Sequence, residues 1–332
     1  MDARSAPCWL PLEGTSGGLS RTRAHMPILL LANQKPLCTK ERQKMSSSSV
    51  WIVPGNPPFI AVEGQNLPEA WEKAVLATWE HGTSIPTQYD REGDPPSRDA
   101  TVTIVVRDPF AEPRIHRAFP GGLDDLEAYR LEVVEGIHNH WIDPESGKWT
   151  YTYNERLFAY ALPDGTVVNQ VEKALSELAA APHTRRAQMI TWQPWKDPGT
   201  IDPPCMQRIW LRVFGDRLAM SVDMRSNDAF KAAFMNMYAF TDLQRCLAEK
   251  LSERLGRRIL PGQYVHRADS FHIYGSYFKE FEGFLESLGK RSFESRTYRT
   301  EDVSDILEDA RREIMRSLEE ERRTGLKGVR RA

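Results

Sequence analysis

The sequence predicts an α+β domain built on a mixed sheet, and three observations point there. Strand-like and helix-like segments are interspersed without the regular strand–helix–strand alternation of a doubly wound sheet. The 332 residues are 40% hydrophobic and 10% aromatic, enough for a sizeable core. No period recurs along the chain, so a repeat architecture is excluded.

Residues 1–50 differ from the rest. They lack sustained periodicity and end in Lys44-Met45-Ser46-Ser47-Ser48-Ser49, a composition that favours a flexible extension, with Met45 as a candidate start. A single catalytic domain over 51–332 is expected to follow. Trp51-Ile52-Val53 is strand-like and stops at Pro54-Gly55. Pro68 to Leu76 opens a helix, with proline in its first turn and apolar residues three and four apart. A polar loop spans Gly82 to Arg98, and Thr101 to Val106 is a β-branched strand ended by Asp108-Pro109. Leu123 to Val134 reads as a helix and Trp149 to Tyr153 alternates like a strand edge.

Val168 to Ala181 is an amphipathic helix with Val168, Val171, Leu175 and Leu178 on one stripe. Strands are expected over Ala187–Trp192, Gln207–Phe214 and Leu218–Met224, the last two joined by a Gly215-Asp216 hairpin turn. Asp228 to Leu255 reads as a long helix ending at Gly256, and Phe271 to Tyr274 as a short strand. Alternating charges over Glu301 to Arg323 predict a solvated helix.

Composition narrows function. Lys and Arg number 44 against 46 Asp and Glu, a formal charge of −2, whereas a dedicated nucleic-acid binder carries a basic surplus. A small anion is still allowed, because a few arginines in one pocket hardly alter the total. Cys8, Cys38, Cys205 and Cys246 form no CxxC pair or disulfide framework, which suits a reducing compartment and leaves room for one reactive thiol. No apolar run approaches the ~20 residues of a membrane span. The longest, Met26 to Leu31, follows Arg21 and Arg23 but is short, late and without a cleavage site. A soluble cytoplasmic enzyme or binding protein is expected.

The stretch from Arg185 to Tyr274 carries the chemistry. Arg185-Arg186 lead into a strand, and Pro203-Pro204-Cys205 puts a thiol after two residues that enforce extended backbone and remove amide donors. Arg225-Ser226-Asn227-Asp228 follows a strand and opens a helix, Asn236 lies two turns into it, and Ala268-Asp269-Ser270-Phe271-His272-Ile273-Tyr274 closes the set. Singly, each has an ordinary explanation: a solvated arginine pair, a structural cysteine, an N-cap, a packed strand face.

In this order, together with Trp192 and Pro194, these residues resemble the thymidylate synthase family and its pyrimidine-nucleotide hydroxymethylase relatives. Arg186 stands 19 positions before Cys205, which suits the family pattern. The resemblance spans roughly Asp164 to Gly275 and extends faintly back to Arg98. It implies a thymidylate synthase-like fold, a mixed sheet with surrounding helices that forms a homodimer interface. It also implies 5,10-methylenetetrahydrofolate as cosubstrate, a pyrimidine nucleoside monophosphate as substrate, and no metal, nucleic-acid or membrane partner.

By the same resemblance Cys205 matches the nucleophile, and Arg225 and Ser226 match phosphate ligands. Arg185 and Arg186 match arginines that reach a neighbouring subunit's nucleotide. Asp228 matches the carboxylate linking base to folate, Asn236 the amide that reads the pyrimidine edge, and His272 with Tyr274 the pair that binds the sugar hydroxyl. Further upstream, Arg98 resembles a flexible phosphate arginine, Glu132 the catalytic glutamate (with Glu135 and Glu155 as alternatives) and Tyr153 the site tyrosine. These roles are chemically coherent. A thiolate is required for attack at C6 and guanidinium charge favours it; forked arginine contacts suit a phosphate dianion; a glutamate can relay protons through water.

Departures from the common synthase pattern concern the reaction branch. Met206 follows the nucleophile in place of His, Ala232 and Phe234 replace the Gly and Pro before Asn236, and the closing motif is nearer the archaeal form. The short apolar tail that closes synthases over folate is replaced by a charged helix and Lys327-Gly328-Val329-Arg330-Arg331-Ala332. A wetter site favours water addition and a hydroxymethyl product over a methyl product. The sequence most resembles a CMP 5-hydroxymethylase of nucleoside-antibiotic pathways, with dTMP synthase as the alternative. Asn236 is typical of uracil readers, but an amide can present donor or acceptor, so CMP stays open.

Overall fold

The computed structural model describes residues 48–143, 145 and 149–326. The readings of residues 1–47, including the Met26–Leu31 run, Cys8 and Cys38, and of the 327–332 tail lie outside the described residues. The first part of the chain supplies β1 (Ser48–Trp51), β2 (Phe59–Gly64), α1 (Leu67–His81), β3 (Thr83–Ile85) and β4 (Ser97–Val106). Next come β5 (Ile115–His116), α2 (Leu123–Glu135), α3 (Tyr153–Phe158), β6 (Tyr160–Ala161), β7 (Val167–Val168), α4 (Gln170–Ala180) and β8 (Gln188–Ile190). The rest is β9 (Met206–Phe214), β10 (Arg217–Asp228), α5 (Ala233–Leu255), β11 (Leu260–Ile273), α6 (Phe278–Lys290), β12 (Thr297–Tyr298) and α7 (Ser304–Thr324).

One mixed sheet runs in the order β1-β2-β4-β11-β10-β9-β8, with β3 added beside β4. The β2–β4 and β10–β11 pairs are parallel and the others antiparallel. Strand alternation sets its two faces. On β4, Ala100, Val102, Ile104 and Val106 are fully buried, while Thr101 and Thr103 between them are half-buried. The buried face packs with α1 and α5 into one core. Asn66 caps α1 by accepting from the amide of Glu69 at 3.1 Å, ahead of the expected proline. Trp71, wholly buried, donates its indole N–H to Ala229 O at 2.9 Å, joining α1 to the segment before α5.

The predicted hairpin is present as β9–β10, turning through Gly215 at φ 62°. Several boundaries differ for physical reasons. The helix expected from Asp228 begins only at Ala233, because β10 continues through Asp228, whose carboxylate then accepts from the amides of Phe230 and Lys231 in the turn. Asn236 therefore sits in the first turn of α5. The short strand expected at Phe271 is the end of the 14-residue β11. Its Pro261-Gly262 opening resembles a break, yet a Cβ on Gly262 would lie 3.0 Å from Arg217 Cβ and 3.1 Å from Leu218 O, so glycine permits the close strand approach. The polar loop after Gly82 contains β3 and the first residues of β4. Trp149 to Tyr153 forms no strand: Thr152 caps α3, accepting from the amide of Glu155 at 3.0 Å. Finally, α7 is not merely solvated. It lies on α2 and buries Leu307, Leu318 and Glu321.

Candidate active site

Cys205 sits half-buried in the turn entering β9, beside the neighbouring strand β10. The backbone N–H of Arg225 donates to Cys205 O at 2.8 Å. Its guanidinium folds back along the same turn, with Nε donating to Pro204 O at 3.0 Å and Nη2 to Pro203 O at 2.6 Å. Nη2 also lies 3.5 Å from Cys205 Sγ. Burial nevertheless pushes the thiol above its ordinary pKa, with Arg225 opposing and Asp202 adding to the rise. The expected lowering by arginine is thus outweighed by burial.

The loop ahead of the nucleophile is fixed by Arg156 of α3. This buried guanidinium forks onto Asp197 at 2.7 and 3.1 Å and donates to Thr191 O at 3.0 Å. Tyr153, at the start of α3, accepts through its hydroxyl from the amide of Met206 at 3.1 Å, one residue past Cys205. Tyr153 is therefore within a few ångströms of the thiol-bearing turn.

On α2, Glu132 is 2.7 Å from His138 Nδ1, and both are largely buried. One turn earlier, Tyr129 donates its hydroxyl to Asn236 Oδ1 at 2.5 Å. Burial raises the Tyr129 pKa far above its usual value, and the negative charge of Glu132 and Cys205 adds to that shift, so these groups share one environment. Gly136 ends α2 at φ 69°, where a Cβ would strike Asn154 Oδ1 and Asn139 Nδ2. Asn154 donates to Val133 O at 3.1 Å and accepts from Asn139 at 2.9 Å, which locks the turn carrying His138 onto α3.

The third group lies where β4, β11 and β10 run side by side. Asp228 Oδ1 accepts from the Phe230 and Lys231 amides at 3.0 and 2.8 Å, and Oδ2 accepts from the Tyr277 hydroxyl. His272 is buried, with its ring 4.5 Å from that of Tyr274. Burial lowers the His272 pKa, partly offset by Asp228 and Asp99. Tyr274 is pushed up to about 12 by burial, with Asp228 adding. Ser226 is half-buried on β10, paired in register with Ser270.

The structure therefore gathers Cys205, Arg225, Tyr153, Glu132, Asn236, Asp228, His272 and Tyr274 on neighbouring elements. Arg185 and Arg186 stand apart, and Arg98, although in register with Ile273 beside His272, directs its guanidinium at the α1–β3 junction. Arg98 on β4 donates to Gly82 O at 3.1 Å and lies 5.9 Å over Trp79. Arg185 and Arg186 are exposed ahead of β8, with Arg186 3.1 Å from Glu177. Of the two alternatives to Glu132, Glu135 pairs outward with Arg311 of α7 at 3.0 Å. Glu155 is half-buried beside Arg156, and desolvation raises its pKa. Tyr129, His138, Trp141, Ser270 and Tyr277 escaped sequence reading, since each is an ordinary core aromatic or polar residue until the fold juxtaposes it.

A cavity of about 700 Å³ lies between α2 and α7 and meets this group through His138, the partner of Glu132; its lining also includes Trp141, Trp149, Glu313, Ser317 and Glu321. His138 stacks on Trp141 with centroids 3.9 Å apart, and Trp149 meets Trp141 edge-on at 5.0 Å. Buried Glu321 of α7 accepts from Trp141 Nε1 at 2.8 Å and lies 2.9 Å from His140 Nε2. Among the described residues no group of three or more His, Cys, Asp or Glu is arranged to hold a metal, and no helix is long and apolar enough to cross a membrane.

Comparison with known proteins converges on one family. A Methanococcoides burtonii protein described as "Putative thymidylate synthase" is 24% identical over 227 residues, covering 68% of this chain and 95% of its own length. A Methanopyrus kandleri protein of the same description is 29% identical over 218 residues, covering 65% of this chain and 93% of its own. Among solved structures, the thermostable thymidylate synthase A from Bacillus subtilis superposes with a TM-score of 0.52 at 18% identity, covering 67% of this chain and 84% of that one. That likeness concerns the fold. The family model described as thymidylate synthase matches residues 124–316, more than half of the sequence. This chain belongs to the thymidylate synthase family.

Proposed function

We propose that the protein is a folate-dependent pyrimidine-nucleotide 5-hydroxymethylase, with CMP its preferred substrate. Cys205 adds to C6 of the base, which makes C5 nucleophilic. C5 then takes a one-carbon unit supplied by 5,10-methylenetetrahydrofolate, loses its proton and expels tetrahydrofolate as the carbon–nitrogen bond breaks. Water adds to the resulting exocyclic methylene as the thiolate leaves, giving the 5-hydroxymethyl nucleotide. Glu132, oriented by His138, relays protons through water at the base edge. Asp228 links base to folate, and Tyr153 steadies the turn of the nucleophile.

The observation that carries the hydroxymethyl reading is the wall of the cavity beside Glu132 and His138. Trp141, stacked on His138, and Trp149 give that wall an aromatic surface against which a folate ring system can pack. The opposite wall is α7, where Glu313, Ser317 and Glu321 set charged and hydroxyl groups among Ala310, Ile314 and Leu318, so that it is not a wholly apolar seal and can admit water. An apolar seal would favour hydride transfer and a methyl group.

The cytosine preference is supported by Tyr129. With Asn236 Oδ1 engaged by the Tyr129 hydroxyl, the amide turns its N–H donors to the base. Cytosine N3 accepts from such a donor, whereas uracil N3–H would have to share Oδ1 with the Tyr129 hydroxyl. Arg225 and Ser226 bind the phosphate, joined by Arg98 of β4 when its side chain leaves Gly82 O. Arg185 and Arg186, exposed and remote from Cys205 of their own chain, reach the nucleotide of a second subunit in a homodimer. The half-buried sheet face that includes Thr101, Thr103, Trp210, Ala219 and Ser221 forms the contact between copies. A cytoplasmic location accords with this chemistry. A dTMP synthase acting on dUMP is the second reading, favoured by the names of the archaeal relatives.

The test mixes protein, methylenetetrahydrofolate and each of CMP, dCMP, UMP and dUMP labelled with tritium at C5. Release is expected from CMP above the others and lost in Cys205→Ser. No release from any nucleotide, or turnover retained by Cys205→Ser, overturns the reading.

A further inference from the structure

Strand register aligns Asp99 of β4, His272 of β11 and Asp228 of β10 across three neighbouring strands. The acceptors of Asp228 are engaged by two amides and the Tyr277 hydroxyl. Asp99 is differently placed. Its Oδ2 accepts from Ser270 Oγ at 2.8 Å, and among the described residues no lysine or arginine forms an ion pair with it. Burial raises its pKa, which marks a carboxylate that water solvates poorly.

An ionised carboxylate only accepts, so the single Ser270 proton is committed to Asp99. The Ser270 oxygen is then the acceptor for His272 Nδ1, 3.1 Å away. This chain fixes the neutral tautomer of His272 with hydrogen on Nδ1, which makes Nε2 an acceptor. Two acceptors consequently lie at one register position of β4 and β11: His272 Nε2 and the Asp99 lone pairs left by Ser270 and the Ala100 amide.

We infer that Asp99, held by Ser270 beside His272, reads the sugar 2′-hydroxyl, so that the substrate class is the ribonucleoside monophosphate. The inference rests on the nucleotide site described under Proposed function. A ribose cis-diol offers two adjacent donors, one for each acceptor. A deoxyribose supplies one and leaves the carboxylate desolvated and short of a partner. A site built to bond a substrate hydroxyl rejects the analogue lacking it more strongly than an apolar pocket rejects a missing methylene. A hydrogen bond to a charged group corresponds to a preference of about tenfold to a hundredfold.

The experiment measures kcat/KM for CMP and dCMP in competition, by tritium release, in the full-length wild type and in Asp99→Asn, Asp99→Ala and Ser270→Ala. Nucleotide affinities are measured by calorimetry on Cys205→Ser and on Cys205→Ser/Asp99→Asn. CMP is expected to lead dCMP by at least about tenfold in the wild type. The ratio should collapse towards unity in both Asp99 variants and fall partway in Ser270→Ala, and the affinities should follow. A variant that merely folds poorly lowers both nucleotides together, so a ratio left unchanged in the Asp99 variants overturns the inference. So does a wild type that turns over CMP and dCMP equally, although the nucleotide-site reading then survives. A wild type that neither binds nor turns over any nucleotide overturns both.

Discussion

Replacing Arg225 with methionine isolates the electrostatics of the nucleophile. Arg225 Nη2 lies 3.5 Å from Cys205 Sγ, and its positive charge opposes the upward push that burial gives the thiol. The thiolate is the charged form, so removing the cation disfavours it and the titration moves to higher pH. An opposite charge within ~4–6 Å shifts a pKa by about 1–3 units. Arg225 shares its donors with Pro203 O and Pro204 O, so the lower part of that range is expected, about 1–2 units. Each unit reduces the thiolate fraction below the pKa tenfold. The assay follows iodoacetamide alkylation against pH, with peptide mass spectrometry separating Cys205 from Cys8, Cys38 and Cys246. Arg225→Lys retains the charge without the fork and should fall between wild type and Arg225→Met. An inflection for Cys205 that is the same in wild type and Arg225→Met would refute the reasoning.

Two further outcomes test the scaffold. Asp197→Ala removes the carboxylate from buried Arg156, whose side chain is only 1% exposed. Stranding a buried charge costs about 3–5 kcal/mol, which urea denaturation should register, and Cys205 alkylation should lose uniformity as the loop ahead of it loosens. His266 is wholly buried, bonded to Tyr264 at 2.9 Å and Asn227 at 2.8 Å, and burial lowers its pKa to about 3. Unfolding lets it take up a proton below about 6.5. Stability should therefore be complete above that pH and fall towards about pH 3, by up to about 1.4 kcal/mol per pH unit from this group. His266→Gln should flatten that slope in pH-dependent urea unfolding; a slope identical to wild type would remove His266 as its cause.

The class of fold was legible in the sequence, and so were the residues proposed for the centre of the site, because both rest on local signals. Alternation in β4, the β9–β10 turn and the stripe of α4 are each written within a dozen residues, and the order of Pro-Pro-Cys, Arg-Ser-Asn-Asp and His-Ile-Tyr is itself linear. What escaped is set by tertiary contact. Tyr129 is a helix aromatic until α5 brings Asn236 to its hydroxyl, and His138 follows a glycine cap whose geometry depends on Asn154 of another helix. The length of β11 was hidden by Pro261-Gly262, a pair that reads as a turn but here allows one strand to lie close on its neighbour. The charge pattern of α7 suggested a free helix because one buried carboxylate, Glu321, is indistinguishable in sequence from its exposed neighbours.

The part-polar cavity under α7 and the Tyr129-oriented amide make one joint claim, tested most directly by the mass of the nucleotide formed from CMP and methylenetetrahydrofolate. The expected product is 5-hydroxymethyl-CMP, with oxygen-18 from labelled water in its hydroxyl and tetrahydrofolate released. A 5-methyl nucleotide with dihydrofolate released, or conversion of dUMP alone, would contradict the account.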